Sequence, residues 1–451
     1  MSAVAHQRAA RGSLSGRRAA PLVLFLLGLL GLLAGGLLSA VAAQPEQPVN
    51  LSRTLGPSEE PAVATSGADA LVSWTEGEQI WHARRVAGAW LPAAPIPGAV
   101  GSTPAVAAAP DGTFHVAWSG FSLVDENYEI YHSHLSGGAW NLPETVSGTV
   151  SDSVEPDIAA RTDGTLLLVW TELEAEQPHI VAATQAPGAG WSSGPVPDAD
   201  GTTPAVAASG AEWHLAWSQA IEPGQATEVV AMHRTAAGWG LPEVVSSSPA
   251  VTSSDASLVL DASGSPAIAW LEGDGHIGFS RRLPGGWTAP RALVSATLAA
   301  PGSPALAASG DRFDVAWAGA TDVNVLFDVA DTPSAAVMAM SFARRARGAA
   351  VLPDGDGLLV VAEGREDTDA GDIYAVRVPA PDVEVPTSTP IATSTAEATG
   401  TTASTTATPT PETPAPSPEA TMTVPALPSP TTVPPGLIYL PITLRAVRIA
   451  R

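Results

Sequence analysis

A short pattern that recurs along the chain constrains its fold more than any other feature. The segment PAVAAAPDGTFHVAW at residues 104–118 is followed by PAVAASGAEWHLAW at 204–217 and PALAASGDRFDVAW at 304–317. Related segments raise the number of copies to seven, starting at Pro61, Pro104, Pro156, Pro204, Asp255, Pro304 and Gly348. A unit that repeats about every 50 residues cannot bury an apolar face alone, so we expect successive units to pack against one another.

Each copy contains the pattern of four β-strands. In the second copy, PAVAAAP and TFHVAWS flank a DG turn, a polar loop leads to YEIYHSH, and an LSGG turn leads to AWNLPETVS. Alternating strands joined by glycine turns are typical of antiparallel sheets. Four such strands in each of seven units predict an all-β, seven-bladed β-propeller, with a six-bladed ring as the alternative.

Tryptophan recurs at two fixed places in these units, the end of the second strand and the start of the fourth. The two series are Trp74, Trp118, Trp170, Trp217, Trp270 and Trp317, and Trp90, Trp140, Trp191, Trp239 and Trp287. A large aromatic side chain at a fixed place in a repeat is expected in the core between neighbouring units.

Residues 45–55, PEQPVNLSRTL, resemble the fourth-strand segments of later units but precede the first unit. The seventh unit ends after DIYAVRVP without such a segment. We therefore expect the N-terminal strand to complete the last blade, which would remove an exposed sheet edge.

The sequence on either side of the propeller, residues 44–379, differs in composition. Residues 1–43 have basic residues and then a long apolar run, which predicts a signal peptide cleaved near Ala42 or Ala43, with an uncleaved anchor as the alternative. Residues 380–435 are rich in Pro, Thr and Ser and predict an extended stalk. The tail at 436–451 resembles the ends of exported bacterial surface proteins, which implies a sorting or attachment signal; a free apolar end is the alternative.

Charge and composition exclude several classes of function. The chain has 45 acidic and 21 basic residues and a formal net charge of −24 at pH 7, so nucleic acid is not an expected partner. It has neither lysine nor cysteine. These absences exclude a Walker-type phosphate loop, a Schiff-base lysine, disulfides and thiolate metal sites.

The turn between the third and fourth strands carries a family resemblance. In the Asp box of the BNR repeat, Ser-x-Asp-x-Gly-x-x-Trp, the Ser, Gly and Trp places match Ser133, Gly137 and Trp140, whereas Leu135 occupies the Asp place. The same place in other units holds Arg85, Ala186, Arg234 and Arg282. Residues 45–379 thus resemble the sialidase-type β-propeller superfamily, with degenerate Asp boxes.

Enzymes of that superfamily hold a sugar carboxylate with an arginine cluster and use a tyrosine nucleophile assisted by a carboxylate. The resemblance implies a candidate set in the seventh unit: Arg344, Arg345, Arg365, Tyr374 and Glu363. Most other arginines fall at the first and third turns, which we expect on the opposite face: Arg84, Arg85, Arg161, Arg234, Arg281, Arg282 and Arg312.

The loops after the second strands are acidic. Their candidate binding residues are Asp125, Glu126, Glu172, Glu174, Glu176, Glu272, Asp274, Asp322, Glu366 and Asp367. A ring of carboxylates would attract cations or basic partners and repel an acidic sugar. A solvated acidic rim without a ligand is the alternative interpretation.

Histidines give a weaker signal. His132 and His134 share one side of a strand and His115 lies on its partner strand, an arrangement that suits either a metal ion or packing between blades. The DGDG segment at 354–357 suits either calcium or a hairpin turn. We favour packing and the turn, and expect no metal and no cofactor.

The sequence therefore favours a non-catalytic binding module for a glycan or an extracellular protein, exported to the bacterial cell surface or secreted. We expect a monomer that is associated with the cell envelope through an anchor or its tail. The alternatives are a divergent exo-glycosidase of the sialidase-like type and a structural envelope protein.

Overall fold

The computed structural model describes residues 45–381, except 54–55, 175–176, 223, 295–300, 332 and 367–369. The predicted signal peptide, the stalk beyond residue 381 and the tail lie outside the described residues, as do Glu176 and Asp367. No helix in this part of the chain is long and apolar enough to cross a membrane. The described residues form strands and turns, which confirms the all-β prediction.

The strands of each repeat pair with one another in one antiparallel sheet, which we call a blade. A short strand, β1 (Val49–Asn50), precedes the first blade. Blade 1 contains β2 (Ser58–Ser66), β3 (Asp69–Glu76), β4 (Gln79–Val86), β5 (Ala89–Trp90) and β6 (Ala94–Val100). Blade 2 contains β7 (Ser102–Ala108), β8 (Phe114–Ser122), β9 (Asn127–Ser136), β10 (Ala139–Trp140) and β11 (Glu144–Thr145). Blade 3 contains β12 (Asp152–Ala160), β13 (Leu166–Glu174), β14 (Gln177–Gln185) and β15 (Ser192–Pro195).

The remaining blades follow the same order. Blade 4 contains β16 (Thr202–Ser209), β17 (Glu212–Ala220), β18 (Thr227–Thr235), β19 (Gly238–Trp239) and β20 (Glu243–Val244). Blade 5 contains β21 (Ser253–Leu260), β22 (Pro266–Glu272), β23 (Ile277–Leu283), β24 (Gly286–Trp287) and β25 (Arg291–Val294). Blade 6 contains β26 (Ala305–Ser309), β27 (Arg312–Ala318), β28 (Asp322–Leu326) and β29 (Val337–Ser341). Blade 7 contains β30 (Arg345–Asp354), β31 (Gly357–Arg365) and β32 (Asp372–Val378).

The first strand of each blade contacts the first strands of both neighbouring blades. This series, β2, β7, β12, β16, β21, β26 and β30, closes on itself because β30 contacts β2. The chain is therefore a seven-bladed β-propeller, as the sequence predicts, and the six-bladed alternative is wrong.

The core consists of seven apolar clusters, one at each junction between neighbouring blades. The tryptophans that end the second strands are at most 3% exposed. Those that open the fourth strands are partly buried against the same clusters. The predicted structural role of both series is confirmed.

The N-terminal strand completes blade 7. Val49 pairs with Ala375 on β32 and Asn50 pairs with Tyr374. Beyond the strand, the hydroxyl of Ser52 donates to Asp372 Oδ1 at 2.9 Å and accepts the Ile373 N–H at 3.0 Å. The closure predicted from residues 45–55 is therefore confirmed.

The degenerate Asp boxes keep part of the turn and replace the rest. Ser133 Oγ donates to the carbonyl oxygen of Asn141 at 2.9 Å, which ties the third strand to the fourth. Where arginine stands at the Asp place, its guanidinium lies over the tryptophan of the same turn: Arg85 over Trp90, Arg234 over Trp239 and Arg282 over Trp287. A cation–π contact therefore takes the place of the aspartate.

A repeating bulge at the start of the first strand couples the blades in pairs. A non-glycine residue with a positive φ stands at this bulge in five blades: Glu60, Thr103, Glu155, Thr203 and Asp255. The carboxylates of blades 1 and 3 accept the N–H of the bulge residue in the next blade, at 2.8 Å for Thr103 and 3.3 Å for Thr203. In blades 5 and 6, Ser303 Oγ donates to Asp255 at 2.8 Å.

This coupling joins blades 1 and 2, 3 and 4, and 5 and 6, so the repeating unit is a pair of blades. The equal spacing of Pro104, Pro204 and Pro304 in the sequence has the same two-blade period. Blade 7 has no partner in this pattern, and its bulge residue is Gly348, with a φ of 44°. Left-handed backbone costs a non-glycine residue about 1–2 kcal/mol, which the interblade hydrogen bonds offset in the paired blades.

Removal of the closing strand should destabilise the whole ring. We expect deletion of residues 45–53 to lower the melting temperature by about 5 °C or more, because β32 loses its partner and becomes an edge. Ser52→Ala should cost about 1–3 kcal/mol, since it leaves the Ile373 N–H without its acceptor. Circular dichroism melts would measure both, with Ser263→Ala in an exposed turn as the matched control. An unchanged melting temperature in the deletion variant would contradict this account of closure.

Candidate functional site

The candidate site lies at the junction of blades 7 and 1, on the face that carries the loops between the second and third strands. Arg345 at the start of β30 is directly opposite Arg365 at the end of β31, and Arg347 is opposite Glu363. Residues directly opposite one another on antiparallel strands project to the same side of a sheet. Three guanidinium groups, which we call the arginine cluster (Arg345, Arg347 and Arg365), therefore share one side of blade 7 with a glutamate.

The unpaired position of blade 7 explains why this cluster is accessible. In the paired blades, the start of the first strand is occupied by the interblade bulge contacts described above. Blade 7 has a similar register shift, between Arg347 and Ala349, but its bulge residue is Gly348, which has no side chain to contact a neighbouring blade. Arg345 and Arg347 are exposed, and neither forms a salt bridge with any residue that the structure describes.

Arg365 links the cluster to two acids. Its Nη2 atom lies 3.5 Å from Glu363 Oε1 and 3.5 Å from Glu59 Oε1 of blade 1. Contacts of this length are weak, so they neutralise the cluster only in part. Partial burial, followed by the charges of Arg347 and Arg365, holds the pKa of Arg345 below its usual value.

Glu363 is a buried acid next to these cations. Its exposed fraction is 3%, and burial is the largest cause that raises its pKa, with a further contribution from Glu59. Arg347 and Arg365 oppose that rise. Gly371 closes over the carboxylate: a Cβ at this position would lie 2.8 Å from Glu363 Oε1 and 2.9 Å from the Ser58 carbonyl oxygen.

Tyr374 lies on the other side of blade 7. It is paired with Ala362, which belongs to the core between blades 6 and 7, and its ring centroid is 5.0 Å from that of Phe342 in the same core. Glu363 alternates with Ala362 and faces blade 1. The structure therefore brings Arg345, Arg365 and Glu363 together and separates Tyr374 from them.

Two further residues belong in this description. Arg344 is exposed next to the cluster, and its backbone N–H donates to the carbonyl oxygen of Arg365 at 3.0 Å. Glu59 was missed in the sequence because its contact with Arg365 spans the closure of the ring, 306 residues along the chain.

Two of the predicted acidic binding residues are buried in the protein instead of being exposed on the loop face. Glu172 accepts hydrogen bonds from Trp170 Nε1 at 2.9 Å and Ser153 Oγ at 2.7 Å. Glu272 accepts equivalent bonds from its own tryptophan and serine, at 2.7 Å and 2.9 Å. Both glutamates are buried, which removes them from the binding face predicted from the sequence. Their role is to satisfy the indole N–H of a core tryptophan.

The other acidic residues occupy separate loops. Asp125, Glu126, Glu174, Asp274 and Glu366 are exposed, and Asp322 is half-buried. Several bond within their own loops: Asp125 to Ser122, Asp274 to His276 and Asp322 to Asn324. The described carboxylates on this face thus form a distributed rim, whereas the arginines form a cluster.

Arginines of the opposite face are engaged in ion pairs that tie blades together. Arg85 of blade 1 binds Asp354 of blade 7 through two hydrogen bonds of 2.7 and 2.9 Å. Arg281 lies 3.1 Å from Asp331 of blade 6, and Arg282 pairs with Glu243 of blade 4. These groups have structural partners, whereas Arg345 and Arg347 form no salt bridge within the described part of the chain.

Comparisons with known proteins identify the fold. No family model and no curated protein matches the chain. Among solved structures, a PL25 ulvan lyase bound to -[GlcA(1-4)Rha3S]- is 12% identical, with a TM-score of 0.52 and coverage of 74% of this chain and 97% of that chain. The polysaccharide lyase Uly1 is 9% identical, with a TM-score of 0.49 and coverage of 74% and 99%.

Trypanosoma rangeli sialidase in complex with sialic acid is 10% identical, with a TM-score of 0.44 and coverage of 75% of this chain and 58% of that chain. Identities this low show a shared fold alone. Together with the seven blades observed here, the similarity to the ulvan lyase shows that the chain shares a β-propeller fold with that protein.

The buried acid should give the protein a distinctive dependence of stability on pH. Below the ordinary pKa of glutamate, Glu363 is protonated in both the folded and unfolded states, so Glu363→Gln should change stability little there. As the pH rises through the raised pKa of the folded protein, the wild type loses stability that the variant keeps.

We therefore expect Glu363→Gln to melt above the wild type at about pH 8, with a difference that vanishes near about pH 4. Thermal melts across this range would measure the effect, with the exposed Glu174→Gln as control. A shift of equal size at both ends of the range would show that ionisation of Glu363 is not its cause.

Proposed function

We propose that this propeller is a glycan-binding module that holds an anionic group of a sugar, a carboxylate or a sulfate, at the arginine cluster. The observation that carries the proposal is the pair of exposed guanidinium groups, Arg345 and Arg347, which lack a salt bridge to any described residue. Guanidinium groups bind carboxylate and sulfate oxygens through paired hydrogen bonds, so the cluster suits such a group.

The surrounding charge favours selectivity. The chain has a formal net charge of −24, and acidic loops border the same face. An acidic rim weakens the long-range attraction of anions in general, so an anionic ligand must gain its affinity from short contacts with the arginines. This argument supports a specific site for one group of a larger glycan.

A non-catalytic role is supported by the position of the tyrosine. In the mechanism implied by the family resemblance, a tyrosine must reach the sugar that the arginines hold. Tyr374 instead packs against Phe342 on the side of blade 7 that faces blade 6. The ulvan lyase with the same fold carries an acidic saccharide in its structure, which agrees with the class of ligand proposed here.

A divergent glycan-cleaving enzyme is the second candidate, and Glu363 is the observation that favours it. A buried carboxyl group with a raised pKa next to arginines has the properties of a general acid. In either case we retain the proposal that the protein is exported and acts at the cell surface or outside the cell.

Binding of a defined glycan panel would test the proposal. We expect the full chain to bind uronate, sialoside or sulfated glycans and not their neutral counterparts, with affinity that falls as salt increases. Arg345→Ala combined with Arg347→Ala should weaken binding by about tenfold or more, as loss of charge-assisted hydrogen bonds predicts. Arg281→Ala, on the opposite face and paired with Asp331, is the matched control.

Equal binding of neutral glycans, or unchanged affinity in the double variant, would overturn the assignment. The same mixtures should be analysed for cleaved products. Cleavage that is abolished by Glu363→Gln would replace the non-catalytic role with the enzymatic one.

A further inference from the structure

A second group of side chains with metal-binding chemistry lies between blades 2 and 3, near the face opposite the arginine cluster. On β8 and β9, His115 is directly opposite His134, and His132 is opposite Glu144 of β11. Trp191 of blade 3 covers the group, with its ring centroid 5.1 Å from that of His132. Cross-strand pairing thus gathers three imidazoles on one side of blade 2.

The imidazole nitrogens are close enough to share one ion. His115 Nδ1 lies 3.0 Å from His132 Nε2, and one ring nitrogen from each of the three histidines lies within 4.8 Å of the others. Tetrahedral zinc with Zn–N bonds of about 2.0–2.1 Å places its ligand nitrogens about 3.3 Å apart. The observed spacing brackets that value.

Glu144 orients the central histidine. Its Oε1 atom lies 2.9 Å from His132 Nδ1 and accepts the indole N–H of Trp191 at 3.0 Å. A proton on Nδ1 of His132 leaves the lone pair on Nε2, which lies 3.0 Å from His115 Nδ1. A carboxylate that fixes a histidine in this way is a common support of metal ligands in proteins.

A comparison with the equivalent positions of blade 4 shows which of these residues recur in another blade. His214 and His233 form the equivalent cross-strand pair, with ring centroids 6.5 Å apart. Ala231 stands at the place of His132, and Arg282 neutralises Glu243, which stands at the place of Glu144. The cross-strand histidine pair thus recurs in blade 4, and a histidine at the place of His132 recurs in blade 1 as His82. Among the described blades, blade 2 combines the pair with this third histidine and with a glutamate opposite it, whereas Ala94 stands opposite His82.

We propose that His115, His132 and His134 bind one divalent transition metal ion such as Zn²⁺, with Glu144 as the residue that positions His132. Imidazole ligands suit Zn²⁺ among the common divalent metals. His115 and His134 are half-buried, so water has partial access to the group and could supply a fourth ligand. This site is independent of the arginine cluster and of the proposed glycan binding.

Metal analysis of the tag-free full chain would test this proposal. After chelation and equilibrium dialysis against Zn²⁺, we expect one tightly bound zinc per wild-type chain and its loss in His132→Ala. His233→Ala, in the equivalent pair of blade 4, should retain the ion. Glu144→Gln should weaken binding by about 10- to 100-fold, the usual cost of removing a residue that supports a ligand.

A second measurement separates loss of the site from loss of the fold. Zinc should raise the melting temperature of the wild type and of His233→Ala, because a ligand that binds only the folded state stabilises it. It should leave the melting temperature of His132→Gln, which keeps a polar side chain of similar size, unchanged. Equal zinc content in the wild type and His132→Gln, or no tight zinc in the wild type, would overturn the proposal and leave the histidines as packing residues.

Discussion

Every blade of this ring depends on the burial of apolar side chains between it and its neighbours. A four-stranded sheet with two apolar faces has no stable state alone, and each of the seven cores is shared by two blades. The tryptophan that ends the second strand of blades 1 to 6 fills this shared space, and in blades 3 and 5 a glutamate two residues later accepts its indole N–H. Closure by the N-terminal strand extends the same principle to the last junction, because blade 7 would otherwise expose a strand edge.

Pairing of the blades accounts for where the candidate chemistry lies. In blades 1 to 6, a side-chain oxygen or a backbone N–H at the start of the first strand forms a hydrogen bond with the partner blade. An odd number of blades leaves the seventh without that contact. Arg345 and Arg347 lie just before Gly348, which stands at the unpartnered bulge position, and neither forms a salt bridge with a described residue of a neighbouring blade.

The fold could be predicted from sequence because it follows from short-range patterns: strand alternation, glycine turns and the fixed places of Trp118 and its equivalents. The candidate site was predicted only in part. The register of a strand decides which side of the blade each residue faces. On β32, Ile373 faces blade 1, whereas the next residue, Tyr374, faces blade 6. Burial of Glu172 depends on a serine of the neighbouring strand, although the recurring Trp-x-Glu spacing was a usable signal.

The closing strand also determines where the two ends of the propeller lie. Because β1 and β32 are antiparallel, the start of the first lies beside the end of the second, and the Glu46 N–H donates to the carbonyl oxygen of Arg377 at 3.0 Å. Both ends of the propeller therefore emerge side by side, at the opposite end of blade 7 from Arg345 and Arg365. A tether at either end would direct the arginine cluster away from its point of attachment, and tension between the two ends would separate β1 from β32 one hydrogen bond at a time.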